Sequence, residues 1–270
     1  MPQVVALYRH PIKGFTPEPL DALTVRADGR VAGDRVLTFR FADATEPEDR
    51  DGLDHWPKAK GLSLQDFPAL AALRTRFDDE RGRVRIEHGG EVLVEAGLDD
   101  AGRIALADAV TDYVLATPEG RRLCRPGRLP LVLLGDGATP RFQDRARGFV
   151  SLHSRGSAHA LAAAAGTGID DRRFRSNIVI DGVDAWSELA WEDEVRVGAV
   201  TLRTEGPIVR CLATHANPET GERDVKVLTT LTGGLGQSEP TLGRLFLPAV
   251  ADGAEGDAGV IRVGDEVHVG

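Results

Sequence analysis

Cys211 directly follows Arg210, inside the stretch Thr204-Glu-Gly-Pro-Ile-Val-Arg-Cys-Leu-Ala-Thr-His-Ala-Asn-Pro-Glu-Thr-Gly-Glu-Arg-Asp224. A strand-like run, Val200 to Thr204, leads into Gly206-Pro207, where proline has no N–H and is expected to interrupt regular pairing. A turn built from Asn217-Pro218 and Thr220-Gly221 closes the stretch. A thiol beside a guanidinium, on a loop leaving a strand, is placed where thiolate is favoured over thiol. A thiolate attacks a carbon or sulfur centre, or ligates a soft metal. On residue type alone, Cys211 reads more readily as a small buried apolar side chain.

The distribution of positive charge bears on that choice. The chain of 270 residues carries a net charge of -9, yet several cations stand where strands begin or end. Lys13 precedes Gly14, whose missing side chain allows a close backbone approach to a ligand. Arg35 starts a strand after a turn, and Arg172-Arg-Phe-Arg175 leads into Ser176-Asn177. Arginine's planar fork suits phosphate, lysine adds a point charge, and Asn177 can both donate to and accept from a heterocycle edge. Any one of these cations reads as a solvated side chain or a structural ion pair. Together with Cys211 they describe an anionic cofactor with a thiophilic centre.

Other chemistries are excluded or weak. A pI near 5.3, with no long basic run, argues against a nucleic-acid partner. The apolar run after Met1 is too short for a signal peptide, and Leu129 to Leu134 is too short to cross a bilayer. The expectation is a cytoplasmic protein without a membrane partner. Two cysteines, Cys124 and Cys211, allow neither a disulfide framework nor an all-cysteine iron–sulfur cluster. A redox reaction here must therefore draw electrons from another protein or a small reductant. Phosphate-loop, dinucleotide-fold and nucleophile-elbow motifs are absent. His153 and His159 lack the paired spacing of a zinc site, and Asp170-Asp171 and Glu192 to Glu194 read as surface charge or helix ends.

The pattern of elements is mostly short strands. Strands are expected over Val4–Tyr8, Ala22–Arg26 and Arg35–Phe41, then at Asn177–Ile180, Glu194–Val197, Val200–Thr204, Arg244–Ala249 and Val260–Val269. Gly89-Gly90 between Val84–His88 and Glu91–Glu95 marks a hairpin. Helices are expected over Asp100–Ala116 and Gly156–Ala165, with shorter ones over Pro68–Leu73 and Val225–Leu231. Asp43 to Lys60 reads as a mobile surface loop, and Thr117 to Pro130, with its prolines and arginines, as a linker. Mostly short strands with few helices make the fold class barrel-like all-β or α+β, mostly β, rather than a doubly wound sheet.

Three stretches share a further pattern: Arg9-His-Pro-Ile-Lys-Gly14 with Gly33-Asp-Arg35, Arg173-Phe-Arg-Ser-Asn-Ile-Val-Ile-Asp-Gly182 followed by Trp191, and Arg210-Cys211 to Asp224. With Gly259-Val-Ile-Arg-Val-Gly-Asp-Glu-Val267, they resemble the MOSC family, in which an N-terminal β-barrel domain precedes a domain named for the C-terminus of molybdenum cofactor sulfurase. The arrangement is most similar to the mitochondrial amidoxime-reducing component and its bacterial single-chain relatives. The resemblance implies a molybdenum–molybdopterin cofactor and reduction of N-hydroxylated small molecules such as amidoximes, hydroxylamines and N-oxides. It also implies a separate electron-donor protein of ferredoxin, flavodoxin or cytochrome type.

By position, the resemblance makes Cys211 the catalytic residue and molybdenum ligand. Lys13, Gly14, Arg35, Ser157, Arg175, Asn177 and Arg210 become cofactor-binding residues. The chain departs from the family pattern at His10 (usually tyrosine), Gly14 (commonly serine), Ser176 (usually proline) and Ile208 (often a second cysteine). His215 and Asp224 are candidates for moving protons. Two other readings stand beside this one: a non-catalytic carrier of the cofactor or of sulfur, and a metal-free enzyme using Cys211 as nucleophile. The length leaves no room for a pyridoxal-phosphate domain.

Overall fold

Short runs of β-branched and aromatic residues, stopped by glycine, proline or acidic turns, dictate short strands. The computed structural model describes residues 1–251 and 253–270. It opens with β1 (Gln3–Arg9), β2 (Glu18–Leu20), β3 (Ala22–Arg26) and β4 (Thr38–Arg40), then a hairpin of β5 (Glu48–Arg50) and β6 (Leu53–His55). β7 (Arg74–Asp78), β8 (Arg83–His88) and β9 (Glu91–Gly97) pair in order as a three-stranded sheet. Val84 and Ile86 of β8 point inward and its arginines outward, as alternation requires. Two helices, α1 (Asp100–Leu115) and α2 (Gly120–Leu123), lead into β10 (Val132–Leu134). The Asp99 side chain caps α1 by accepting from Gly102 N at 2.7 Å.

The second half contributes β11 (Val150–Ser154), α3 (Arg155–Ala165), β12 (Ile178–Asp181), β13 (Glu194–Val197) and β14 (Val200–Val209). The last elements are α4 (Val227–Thr229), β15 (Thr241–Pro248), β16 (Asp257–Arg262) and β17 (Val267–Val269). Eight strands form the main sheet in the order β17-β13-β14-β15-β11-β12-β1-β2. β11 and β12 run parallel, so a crossover is needed between them, and α3 supplies it. β12 is buried along Ile178–Ile180, as befits a strand paired on both sides.

The mostly-β, α+β class is what the structure has. The barrel-like expectation needs correction: the ladders leave an open sheet. The chain at β1 and the chain beside β17 approach each other through the bridge Gln3↔Glu266 and the bonds from Val267 N to Pro2 O, Val4 N to Asp265 O and Gly264 N to Val4 O. One apolar core gathers residues between Ile12 and Leu133 with Ala216, and a second gathers Val4 to Val31 with Val150 to Val267. Pairings β1–β12, β3–β16 and β4–β10 tie early strands to late ones.

Three local expectations change. Asp43 to Lys60 is not a free loop: it contains the β5–β6 hairpin, and Trp56 is buried edge-on to Phe142 with ring centroids 5.1 Å apart. Thr117 to Pro130 is not a bare linker, because α2 plants Leu123 in the first core. β14 continues through Gly206-Pro207 to Val209, and the missing proline N–H appears instead as register shifts on either side of Pro207.

Candidate functional site

β14 and β15 are antiparallel neighbours, and the chain leaves β14 at Arg210-Cys211. Arg210 N still donates to Pro240 O at 2.8 Å, so the residue before the thiol is held on the sheet. Cys211 then stands at the start of a 3-10 turn, Leu212–His215, with an extended backbone and a partly exposed side chain. It lines a cavity of about 340 Å³.

Five of the sequence-predicted residues meet there: Arg35, Arg175, Asn177, Arg210 and Cys211. They arrive from three separated parts of the chain. Arg35 lies between a turn and β4, Arg175 and Asn177 link the 3-10 turn Asp171–Phe174 to β12, and Arg210-Cys211 follow β14. Arg35 and Arg175 hold left-handed backbones, with φ of 51° and 53°. That region is disfavoured for residues with a Cβ, and strain of this kind gathers at binding and catalytic sites. Arg35 Nη2 reaches Arg175 O at 3.5 Å and Arg35 Nη1 donates to Asp34, while Arg175 Nη1 donates to Phe15 O.

Arg210 is 8% exposed and, among the described residues, has no carboxylate partner. Its Nε and Nη2 donate to Leu242 O, its Nη1 to Phe174 O at 2.7 Å, and its Cζ lies 5.5 Å from the Phe174 ring centroid. Burial pushes the guanidinium down to about 9, against the pull of Cys211 and Glu188. Burial, then the Arg35 charge, pushes Arg175 down to about 10, against Asp144, Asp34 and Cys211. Asn177 is 1% exposed and its amide is engaged within the protein. Its Oδ1 accepts from Ser151 Oγ at 2.8 Å and its Nδ2 donates to Tyr8 O at 3.2 Å, so it braces the wall more than it offers a free group.

Three predicted residues stand off the lining. Lys13 is 6% exposed, with Nζ 3.1 Å from Trp56 O, 3.1 Å from Gln143 O and 3.0 Å from Asp144 Oδ1. Its ammonium holds the cavity wall from behind. Gly14 has φ of 85°, and a Cβ there would lie 3.0 Å from Leu62 O, so glycine is needed for a close backbone crossing. Ser157 lies in the first turn of α3, where its N donates to the N-cap Ser154 Oγ at 3.1 Å, and is fully buried; its hydroxyl donates to Glu188 Oε2 at 2.8 Å and accepts from Trp186 N. That network leaves the hydroxyl no route to the cavity.

His215 and Asp224 are also outside the lining. His215 Nε2 accepts from Leu228 N at 3.2 Å, and Asp224 pairs with Arg173 at 2.7 Å and takes Asn217 Nδ2 at 2.6 Å.

Sequence reasoning missed the strap from Gln143 to Phe149, which supplies Gln143, Asp144, Arg145, Arg147 and Phe149 to the lining, and it missed Lys58. The Arg-Phe-Gln-Asp-Arg-Ala-Arg run at 141–147 was the available signal, but it has neither helical nor strand period. The lining holds seven cations (Arg35, Lys58, Arg145, Arg147, Arg173, Arg175, Arg210) against one carboxylate, Asp144. Among the described residues no cluster of three metal-ligating side chains exists. An ion here would rest on one protein thiolate and on ligands brought by its carrier.

Residues 140–268, just under half of the chain, match the family profile described as MOSC domain. Molybdenum cofactor sulfurase of Drosophila pseudoobscura pseudoobscura is 42% identical over 60 residues, 22% of this chain and 7% of that protein. Human mitochondrial amidoxime-reducing component 1 is 32% identical over 99 residues, 36% of this chain and 29% of that protein. The matches thus span under a third of either relative. The solved structure of the YUAD protein from Bacillus subtilis aligns over 99% of this chain and 94% of its own, with 12% identity and a TM-score of 0.42.

The lining fits a pterin-borne molybdenum in kind. It offers one thiol, an excess of cations for a phosphate, and Gln143 Oε1, a buried acceptor without a partner, for a heterocycle N–H. No helix is long and apolar enough to cross a membrane among the described residues.

Proposed function

We propose that this cavity binds a molybdenum–molybdopterin cofactor with Cys211 Sγ as the protein ligand, and that the protein reduces N-hydroxylated small molecules. The observation that carries the reading is the convergence of Cys211 with seven cations, two of them on left-handed backbones, around one space. When bound, the group supplies two-electron removal of an oxygen atom. The chain's own part is positional. Cys211 presents its sulfur at the end of β14, and Arg210 holds that end by donating to Leu242 O and Phe174 O. Arg35 and Arg175 supply positive charge beside it, and Asn177 fixes the wall between them. Ile208, Val209 and Leu245 make the apolar side of the cavity, against which an uncharged substrate packs.

This reading includes two units over residues 1–120 and 121–270, a cytoplasmic location, and electrons from a ferredoxin-, flavodoxin- or cytochrome-type protein. The test is elemental molybdenum and oxidised-pterin fluorescence on protein from a cofactor-competent host, with Cys211→Ser beside it. Near-stoichiometric metal in the wild type, lost in the variant, and amidoxime reduction with an artificial donor support the proposal. Cofactor without turnover leaves the carrier. Neither metal nor pterin overturns the reading and returns Cys211 to a nucleophilic or structural thiol.

A further inference from the structure

The strap between β10 and β11 has a pinned backbone and two free arginines. Phe142 N donates to Arg35 O at 3.1 Å, Lys13 holds Gln143 O at 3.1 Å and Asp144 Oδ1 at 3.0 Å, and Arg30 Nη2 donates to Ala146 O at 3.2 Å. Those anchors lie on both sides of Arg145 and on the near side of Arg147. The two side chains are exposed yet line the cavity, and among the described residues neither makes an ion pair or a hydrogen bond. Arg145 has only the Phe149 ring, with its Cζ 5.7 Å from the centroid. Lys58, also in the lining, likewise has no acidic partner within bonding distance among the described residues, and Asp144 is already held by Lys13.

The deeper guanidinium of Arg210 differs, since protein carbonyls take its Nε and both its Nη groups. Three unpartnered cations fixed around one mouth, in a protein of net charge -9, are not explained by solubility. We propose that Lys58, Arg145 and Arg147 form a phosphate-binding rim, so that a phosphate monoester is held at the mouth. Arginine's fork grips two phosphate oxygens and lysine adds charge. The phosphate belongs either to the cofactor of the proposed function or to a phosphorylated substrate. The rim deepens that reading without depending on it.

Inorganic phosphate titrated into cofactor-free protein, followed by calorimetry, tests the rim. The paired substitution Arg145→Gln with Arg147→Gln should weaken phosphate binding at least about tenfold. Arg121→Gln with Arg125→Gln, exposed and away from the cavity, removes the same charge and should change it by no more than about twofold. Equal losses from both pairs, or no binding to wild type at millimolar phosphate, overturn the rim. Circular dichroism and melting of each variant separate misfolding from lost contacts. Cofactor-loaded protein then identifies the source: phosphate excluded after loading means the cofactor's own phosphate fills the rim. Phosphate still bound means the rim serves a phosphorylated substrate. Absence of molybdenum in all preparations would remove the cofactor reading and leave the rim result standing.

Discussion

Lys13 Nζ lies 3.0 Å from Asp144 Oδ1, joining the turn after β1 to the strap that walls the cavity. The carboxylate faces solvent while the ammonium is buried, so the pair is worth less as Coulomb attraction than as a hydrogen-bonded clip. Lys13→Met keeps the bulk and removes three donors, leaving the Trp56 and Gln143 carbonyls unsatisfied. A loss of roughly 1–3 kcal/mol in urea unfolding is expected, with faster proteolysis of the strap. A variant as stable as the wild type, with the strap equally protected, would mean that the clip contributes nothing.

His10 is fully buried, with its N and Nδ1 2.7 Å and 3.3 Å from Asp34 Oδ1. Burial, with the Arg175 and Arg35 charges, pushes its imidazole from 6.5 down to about 3, in spite of Asp34. Between those two values the unfolded chain binds a proton that the native state refuses, so stability falls as pH drops from 6.5. The slope from this group is about 1.4 kcal/mol per pH unit. His10→Gln should flatten the fall between pH 6.5 and 4.5 by about that slope. His153, also pushed down by burial, continues to contribute in the variant. Parallel curves for variant and wild type would contradict the assignment.

Periodicity made most of this fold readable. Alternation located the β8–β9 hairpin, and apolar spacing located α1, although Ile104, counted with its apolar face, is exposed. β2 and β7 were missed because a three-residue strand and an arginine-rich one carry no clear alternation. In the site, residue type and spacing found Cys211 and four cavity partners. Residue type put Lys13, and the resemblance put Ser157, at the cofactor, but their chemistry is consumed by local partners that no sequence spacing reveals: two carbonyls and Asp144 for one, Glu188 and Trp186 N for the other. The strap escaped notice because its order comes from long-range anchors, Arg35 O, Lys13 and Arg30.

Gly243 couples the sheet to the thiol's neighbour. Its φ is 76°, and a Cβ would lie 2.5 Å from Leu152 O, 2.9 Å from His153 Cβ and 3.0 Å from Arg210 Nη2. Two of those three obstacles belong to β11 and cannot swing away. Gly243→Ala should therefore cost more than the ~1 kcal/mol typical of glycine in a left-handed region, in the range of overpacked cores, roughly 1–3 kcal/mol. It should also displace Arg210. Thermal melting and the metal content of the purified variant should both decline. An unchanged melting point would show that β11 and β15 separate more easily than their register implies.

Arg210→Lys removes the fork and weakens the hold on the charge. Lysine can place one ammonium near Leu242 O or Phe174 O, but it cannot span both carbonyls as the guanidinium does, and it loses the stack on Phe174. The site already pushes arginine down to about 9 by burial, so a buried ammonium, with its lower intrinsic pKa, would tend to shed its proton there. The expected result is a stability loss of roughly 1.5–3 kcal/mol from the broken charge-assisted bonds, with Cys211 still present. If the cavity binds the proposed cofactor, molybdenum per protein should fall below wild type although the ligating thiol is unaltered, and raising the pH should lower it further. Full metal content in a destabilised Arg210→Lys protein would instead limit Arg210 to bracing β14 against β15.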